Sequence, residues 1–344
     1  MKKIRFTLLA AALVFVTSGC ETNIQDTHSF SAMDTFMTVR SVGKNSYKAN
    51  RLIEQRIYKI EKLISVTDSE SEVYKLNNAK EFPVELSEET FFLTQYAQNF
   101  YSKTQGALNV CLFPVIKEWG FTTGQYKIPS HATIKSLLSK TDFSKVILQE
   151  DETSRKISMP QDMMINFGAI GKGYAGDAAI EILKQNGITS AVLDFGGNVQ
   201  LLGGKITESG KVKNWKVGIK NPFGEGSLLS VDLQDKAVIT SGGYERFFSG
   251  NDGKKYIHIF DSNTGYPVEN EIASVTIICE KGIYADALST SLFAMGLEKA
   301  REFWKNNKDF DFIIITKDKE IFATPDAGKI MTVLEKLPVK VCSD

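Results

Sequence analysis

The stretch Gly171-Lys172-Gly173-Tyr174-Ala175-Gly176 decides between two folds for this chain. It matches the G-x-G-x-x-G pattern that dinucleotide-binding folds place between a strand and a helix, and Asp194 follows at a suitable distance. A Rossmann fold would need strands and helices to alternate beyond this point. The sequence instead predicts a run of strands between residues 190 and 279 with no helix among them. This order argues against a parallel sheet and against a nicotinamide dehydrogenase.

Helices and strands occupy separate blocks along the chain, which favours an α+β fold. Apolar residues at helical spacing predict helices over 47–65, 87–103, 173–185, 286–295 and 297–306, and a short helix from Ser130. Strands are predicted over 36–42, from Met163 to the glycine turn, and over 190–194, 199–202, 215–219, 228–233, 237–240, 256–260 and 273–279. Hairpins are predicted at 146–159 and 312–323, the second closing the chain. Phe91, Phe92, Tyr96 and Phe100 are expected on the buried side of helix 87–103.

The N-terminus has the pattern of an export signal. Lys2, Lys3 and Arg5 precede an apolar run over residues 8–16, and small residues then lead to Cys20. Gly19-Cys20 resembles a bacterial lipobox, although Thr17 stands where leucine is usual. We therefore expect a signal peptide over 1–19, lipidation of Cys20, a polar leader over 20–30, and a lipid anchor on the extracytoplasmic side of the cell membrane. A plain secretory signal is the alternative.

The composition excludes some classes of function. The 344 residues include 41 Lys and Arg and 41 Asp and Glu, so the chain has no excess of positive charge that would indicate nucleic-acid binding. A hydrophobic content of 42% is sufficient for a large core. Apart from Cys20, the three cysteines lack metal-site spacing. Cys111 and Cys279 are expected in the core and Cys342 in the tail.

A short segment near the C-terminal end indicates a metal site. In Ala285-Asp286-Ala287-Leu288-Ser289-Thr290 a carboxylate and a hydroxyl are four residues apart, so a helix would present both on one face. Two such oxygens suit Mg²⁺, which takes few protein ligands. His258-Ile259-Phe260-Asp261 lies upstream, and together these features suggest phosphoryl transfer. Individually, Asp286 could cap a helix, Thr290 could be an ordinary helical residue, and His258 a satisfied strand histidine.

The glycine turn allows two interpretations as well. Glycines let backbone amides approach a phosphate, a helix N-terminus favours negative charge, and Lys172 adds a positive charge. A tight turn with a surface lysine is the alternative. The segments Asp194-Phe195-Gly196-Gly197-Asn198 and Thr240-Ser241-Gly242-Gly243-Tyr244-Glu245-Arg246 fall at strand ends, where they could be plain turns or line a nucleotide cleft.

Taken together and in order, these motifs resemble those of the FAD:protein FMN transferases, the ApbE family of exported lipoproteins. The resemblance covers nearly the whole mature chain and is carried by Ala32-Met33-Asp34-Thr35-Phe36, Ser71-Glu72-Val73-Tyr74-Lys75-Leu76-Asn77, Gly106-Ala107-Leu108-Asn109, Pro114, Trp119-Gly120-Phe121, Asn166 to Ala175, Thr240-Ser241-Gly242, Tyr244-Glu245-Arg246, His258 to Asp261, Thr264-Gly265 and Asp286 to Thr290.

The resemblance implies a fold and an activity. The fold would be ApbE-like over 31–344, with mostly antiparallel sheets, flanking helices and a flavin site in a central cleft, as one domain or as two subdomains with the site between them. The activity would be Mg²⁺-dependent transfer of the FMN half of FAD to a threonine or serine hydroxyl of an exported acceptor protein, with release of AMP. The acceptor would be a subunit of a respiratory or extracellular electron-transfer chain.

The resemblance also implies residue roles. Asp286, Thr290 and the Ala169 carbonyl would hold Mg²⁺, and His258 would be the base, oriented by Asp261. Residues implied to contact FAD are Met33, Val73, Tyr74, Lys75, Asn109, Lys172, Ser241, Gly242, Glu245 and Phe260.

Asp34 stands in place of a glycine of the family pattern, and four further positions depart from it. Asn109 and Asn166 replace aspartates, Cys111 replaces a threonine, and Thr67 stands where relatives carry tyrosine or asparagine. These differences leave two alternatives open: an FAD pyrophosphatase that yields FMN and AMP, and a lipoprotein that binds FAD without turnover.

Overall fold

A nine-stranded sheet organises the fold in the computed structural model, which describes residues 24–343. In chain order the strands are β1 (Gln25–Ala32), β2 (Thr35–Val42), β3 (Val84–Glu85), β4 (Ile147–Glu150), β5 (Arg155–Ser158), β6 (Ser190–Phe195), β7 (Asn198–Leu202), β8 (Lys205–Ile206), β9 (Val212–Lys213), β10 (Trp215–Lys220), β11 (Ser227–Leu233), β12 (Ala237–Gly242), β13 (Phe247–Ser249), β14 (Lys255–Ile257), β15 (Ile272–Cys279), β16 (Asp311–Thr316), β17 (Ile321–Ala323), β18 (Met331–Val333) and β19 (Val339–Val341). The order in the large sheet is β1-β2-β6-β7-β12-β15-β16-β17-β19.

The helices lie mainly between the blocks of strands. They are α1 (Ser46–Ile64), α2 (Glu72–Asn77), α3 (Glu88–Lys103), α4 (Phe113–Glu118), α5 (His131–Leu138), α6 (Gly171–Gln185), α7 (Gly282–Met295), α8 (Leu297–Asn306) and α9 (Pro325–Ile330), with short 3₁₀ helices at Val110–Leu112 and Phe143–Lys145. Ser87 and Ser130 cap α3 and α5 through their hydroxyls, as N-cap serines commonly do.

The α+β prediction is confirmed. The neighbouring strands of the large sheet are antiparallel except for β17 and β19. Helix α6 leads into the antiparallel hairpin β6–β7 and not into a parallel crossover, so the sheet excludes a Rossmann arrangement.

The middle of the large sheet is buried on both faces. Successive side chains of a strand point to opposite faces. In β16, Phe312 and Ile314 face the helices, whereas Ile313 and Ile315 pack with the small sheet β10-β11-β18. Strands of this kind tend to be continuous apolar runs, as the residues 312–315 of β16 are.

Helix α7 lies at the centre of the helical layer. It contacts α6, β12 and β15, and its small and apolar residues are buried around most of its circumference. Closest approach to α6 occurs at glycines. A Cβ placed on Gly173 would lie 2.7 Å from the Asp286 Cβ and would overlap the Gly282 carbonyl. A Cβ on Gly176 or on Gly282 would overlap the side-chain amide of Gln200.

Several element predictions are wrong in detail. The segment 163–167 is not a strand, because the Asn77 side chain satisfies both backbone groups of Ile165, at 2.7 and 2.8 Å. Helix α7 begins at Gly282, earlier than predicted. Phe92 is 43% exposed and does not belong to the buried side of α3.

The two ends of the domain also differ from expectation. Residues 25–30 form most of β1 and are not a leader, because their alternate side chains cover α1, where Phe30 is buried. The predicted hairpin does not close the chain, since α9, β18 and β19 follow it. Cys342 is 4% exposed and lies in the core, as Cys111 and Cys279 do; all three are free thiols.

The predicted signal peptide over 1–19 and the lipidated Cys20 lie outside the described residues. Within 24–343, no helix has both the length and the apolar character needed to cross a bilayer.

We expect Gly173→Ala to destabilise the protein because the added methyl group would force α6 and α7 apart. Overpacking of this kind lowers the free energy of unfolding by about 1–3 kcal/mol. Thermal and urea unfolding measure the effect. Gly224→Ala is the control, since the nearest atom to its added Cβ would be 3.6 Å away. Equal stability of both variants would show that the helices do not meet as described.

Candidate active site

The start of α6 is bonded to a carboxylate from α7. The Gly173 N–H donates to Asp286 Oδ2 at 2.8 Å. Asp286 is only 5% exposed, and burial raises the pKa of its carboxyl group above the ordinary value, while the Lys172 charge and the Gly173 N–H oppose that rise. A buried anion at a helix N-terminus is favoured by the exposed N–H groups and the helix dipole.

Helix α7 receives a carboxylate from α6 in return. Asp177 accepts hydrogen bonds from the N–H groups of Gly282, at 2.7 Å, and Ile283, at 3.0 Å. These are orphan donors of the first turn of α7, whose own N-cap residue, Lys281, provides no side-chain cap. The two helices therefore exchange carboxylate caps, and this exchange fixes where Asp286 lies.

The glycine motif has a different role from the predicted phosphate cradle. A Cβ on Gly171 would lie 2.9 Å from Ile64 Cδ1. A Cβ on Gly173 would overlap α7, and a Cβ on Gly176 would overlap the side chain of Gln200. The Gly173 N–H is already bonded to Asp286. These glycines permit close packing of protein on protein, so the resemblance to a dinucleotide fingerprint is a coincidence of spacing.

Hydroxyl groups extend the site beyond Asp286. Thr290 lies one turn further along α7 and is partly exposed. Ser241, from β12, has its Oγ 2.8 Å from Ser289 Oγ and 3.5 Å from Thr290 Oγ1. The predicted site residue Ser241 is thus joined to the predicted metal pair, with Gly242 buried next to it.

The oxygen atoms here fit a hard cation. Asp286 offers a carboxylate and Thr290 a hydroxyl. In residues 24–343 no N–H donates to the Ala169 carbonyl, which precedes Ile170, the N-cap residue of α6, and so lies outside the helix. Nor does this part of the chain contain a cluster of three or more His, Cys, Asp or Glu suited to a metal. Such a donor set suits an ion that completes its shell with phosphate and water, as Mg²⁺ does.

Lys172 and Asn198 stand beside the carboxylate. Lys172 Nζ donates to Asn198 Oδ1 at 3.3 Å, and both residues lower the pKa of Asp286. The Asn198 side chain is therefore close to Asp286, although its Nδ2 makes no hydrogen bond of good geometry there.

His258 follows β14 and is held by Arg246. Its Nδ1 lies 3.1 Å from the Arg246 carbonyl, which can only accept, so Nδ1 carries the proton and Nε2 is left with its lone pair. Burial, with the charges of Arg246 and Lys172, lowers the pKa of His258 to about 4. The imidazole is consequently neutral at physiological pH.

The expectation that Asp261 orients His258 is wrong in this structure. Asp261 Oδ1 accepts from the Asn263 N–H at 2.8 Å, and the Asp261 backbone closes a turn with Gly265 and Tyr266. An aspartate that heads such a turn bonds its own following backbone. The carbonyl of Arg246 takes the orienting position, and the Arg246 guanidinium is itself fixed by the Phe121 carbonyl at 2.7 Å.

The other residues implied to contact FAD are spread around the site. Met33 lies in the β1–β2 turn at a φ of 51°, donates its N–H to Glu61 at 2.6 Å, and packs near Gly171. Glu245 is exposed, in the loop that leads to Arg246. Tyr74 is partly exposed on α2.

Four of the residues implied to contact FAD are engaged in contacts with other parts of the protein. Val73 is fully buried in the core, and Lys75 forms an exposed ion pair with Glu70 at 3.1 Å. Asn109 braces its loop through the Cys111 N–H and the Thr141 carbonyl, both at 2.9 Å. Phe260 is buried against Trp119 and Phe121. Within the described chain, these four make no hydrogen bond or ion pair with Asp286, Thr290 or His258.

Sequence reasoning missed three contributors: Asp177, Asn198 and Ser289. Asn198 ends a two-glycine turn that the sequence marks as a possible cleft segment, but nothing there indicates its partners. Asp177 and Ser289 look like ordinary helical residues, and their roles depend on contacts between distant parts of the chain.

Comparison with known proteins identifies the family of this chain. The ApbE family model matches residues 33–314. A protein of Klebsiella pneumoniae (strain 342) named FAD:protein FMN transferase is 34% identical over 270 residues, which are 78% of this chain and 82% of that protein. A protein of Escherichia coli (strain K12) with the same name is 28% identical over 339 residues, 93% of this chain and 94% of that protein.

Solved structures show the same fold. The crystal structure of an ApbE protein from Thermotoga maritima has a TM-score of 0.82 and 30% sequence identity, and the match covers 89% of this chain and 99% of that one. The family match spans most of the chain and includes the helix pair that carries Lys172, Asp286 and Thr290. The chain belongs to the ApbE family.

Proposed function

We propose that this protein transfers the FMN half of FAD to a hydroxyl of an acceptor protein and releases AMP. The observation that carries the proposal is the grouping of a cationic Lys172, the Asp286–Thr290 oxygen pair and a neutral His258. Phosphoryl transfer depends mainly on positioning and on stabilising charge, and these residues supply both. The similar proteins from Klebsiella and Escherichia carry the name of this activity.

The metal in this proposal is Mg²⁺, with Asp286, Thr290 and the Ala169 carbonyl as its protein ligands. When bound, it would neutralise charge on the FAD diphosphate. Lys172 acts on the same anion, and its ammonium is directed by Asn198 Oδ1 at 3.3 Å. Asp286 keeps its position without the ion, because Gly173 holds one of its oxygens.

His258 is the proposed base. The acceptor oxygen forms a bond to the flavin-side phosphorus, the bond from that phosphorus to the bridging oxygen breaks, and AMP leaves. Nε2 takes the hydroxyl proton, since Nδ1–H is committed to the Arg246 carbonyl. A pKa near 4 keeps the imidazole unprotonated before FAD binds, and the negative diphosphate then makes it a stronger base.

The location and the acceptor are part of the proposal. A chain lipidated at Cys20 would be tethered to the cell membrane on the extracytoplasmic side, where an exported acceptor, such as a subunit of an electron-transfer chain, would meet it. The threonine or serine that receives FMN belongs to that partner.

One incubation distinguishes this function from its alternatives. The protein is mixed with FAD, MgCl₂ and a candidate acceptor. Flavin fluorescence that stays on the acceptor in a denaturing gel supports transfer. Free FMN would instead indicate a pyrophosphatase, and FAD that is bound but intact would indicate a binding protein.

We expect Asp286→Asn and Thr290→Val to abolish magnesium-dependent turnover of FAD. The asparagine retains an oxygen for the Gly173 N–H but loses the charge, and valine keeps the shape of threonine without its hydroxyl. Ser291→Ala is the control on the same helix, since the Ser291 hydroxyl bonds only the Ala287 carbonyl. AMP release is measured over a range of MgCl₂ concentrations. Wild-type rates in both site variants would disprove the metal assignment.

For His258→Gln we expect retained FAD affinity and a rate lower by roughly 10²–10⁴, the usual contribution of a general base. FAD affinity is measured by fluorescence and rate by flavin transfer. His131→Gln, at an exposed histidine, is the matched control and should leave the rate unchanged. A His258→Gln variant with full turnover would remove this residue from the mechanism.

The low pKa of His258 also predicts a pH effect on stability. The unfolded chain protonates this side chain near pH 6.5 and the folded protein only near 4, so between these values the unfolded state binds more protons. Lowering the pH through that range should therefore destabilise the wild-type protein more than His258→Gln. Urea unfolding at several pH values measures this difference, and NMR follows the titration of the ring directly. Identical pH dependence in the two proteins would contradict the assignment.

A further inference from the structure

Asn198 occupies a position that the proposed mechanism does not fully use. It is the first residue of β7 and follows the turn at Gly196 and Gly197, whose φ angles of +64° and +89° suit glycine. The residue is only 3% exposed. Its strand pairs with β6 on one side and β12 on the other, so its backbone is fixed within the large sheet.

The oxygen and the nitrogen of the Asn198 side-chain amide differ in their hydrogen bonding. Oδ1 accepts from Lys172 Nζ at 3.3 Å, whereas Nδ2 is buried near the Asp286 carboxylate and makes no hydrogen bond of good geometry. The orientation follows from the lysine, because an ammonium can only donate and must face the amide oxygen. Buried donors without partners are rare in native proteins and cost folding free energy, so this one requires an explanation.

A neighbouring amide shows that the arrangement is not forced by the fold. Gln200 is two residues along the same strand and therefore on the same face. Its Nε2 donates to the Gly173 carbonyl at 3.0 Å. The strand thus presents two amides to the start of α6. The Gln200 amide donates to the protein in good geometry, whereas the Asn198 donor lies near Asp286 without a well-formed hydrogen bond.

We propose that Asn198 is an FAD-binding residue, whose Nδ2 donates to a phosphate oxygen of the diphosphate while its Oδ1 directs the Lys172 ammonium. The inference rests on the proposed function and adds a neutral donor to the charged groups of the site. An anionic oxygen is the fitting partner, because the amide N–H can only donate and the neighbouring Lys172 charge offsets that of Asp286. A hydrogen bond to such an oxygen is stronger than one between neutral groups.

The test uses two variants. Asn198→Leu approximates the shape of asparagine without its amide, and Asn198→Ala has a smaller side chain that introduces no steric overlap. FAD affinity is measured by fluorescence with EDTA present and again with MgCl₂, and thermal unfolding is measured with and without FAD. We expect a loss of about 10- to 100-fold in FAD affinity under both conditions, as for a lost hydrogen bond to a charged group. The FAD-induced rise in melting temperature should shrink correspondingly.

The ligand-free proteins separate binding from structure. Asn198→Leu removes a donor without a well-formed bond and one long hydrogen bond from Lys172, so the ligand-free variant should melt close to the wild type. Gln200→Leu is the comparison, and it should melt lower because its amide bonds Gly173. If Asn198→Leu melts lower without FAD yet binds FAD as tightly as wild type, the residue is structural and the inference fails. If the wild-type protein itself does not bind FAD, the proposed function fails instead.

Discussion

The rest of the site depends on one hydrogen bond, from the Gly173 N–H to the Asp286 carboxylate. A buried carboxylate is costly unless it is bonded, and the first turn of a helix supplies the bond and a favourable dipole. The Gly173 N–H belongs to the first turn of α6, where the helix itself offers it no carbonyl, so the carboxylate satisfies an orphan donor. The same contact holds the Asp286 side chain in place at the start of α6. It also sets Lys172, the residue before Gly173, close to the carboxylate.

This bond requires that two helices approach closely, and glycine makes the approach possible. Gly173 and Gly282 remove the side chains that would otherwise separate α6 from α7, and Gly176 makes room for the side chain of Gln200. A dinucleotide fold uses glycines so that the backbone can approach a pyrophosphate, whereas here they let protein approach protein. The two uses produce similar spacing of glycines in the sequence, because both require residues without a Cβ near the start of a helix. Only the strands that follow distinguish them.

Local sequence patterns were sufficient to predict the fold class and part of the candidate site. Helical and alternating periodicity, with the order of the elements, predicted the α+β class, and the four-residue spacing of Asp286 and Thr290 predicted a shared helix face. Local pattern also misled: residues 25–30 read as a polar leader because an edge strand is polar on its exposed side. The orientation of His258 by Arg246 and the cap that Asp177 gives to α7 depend on contacts across long stretches of chain. No spacing rule in a single sequence reveals such partners.

The exchange of carboxylates between α6 and α7 has a consequence for motion. Asp177 and Asp286 each leave one helix to bond the other, and the pair lies at the centre of the fold. Separating them would mean breaking the core, so this part of the site moves only when the packing of α6 against α7 is disrupted. By contrast, Arg246 and His258 lie on loops next to the short strands β13 and β14, so movement of these loops does not require the helix pair to separate. The architecture thus combines a rigid half, built on two packed helices, with a half built on loops.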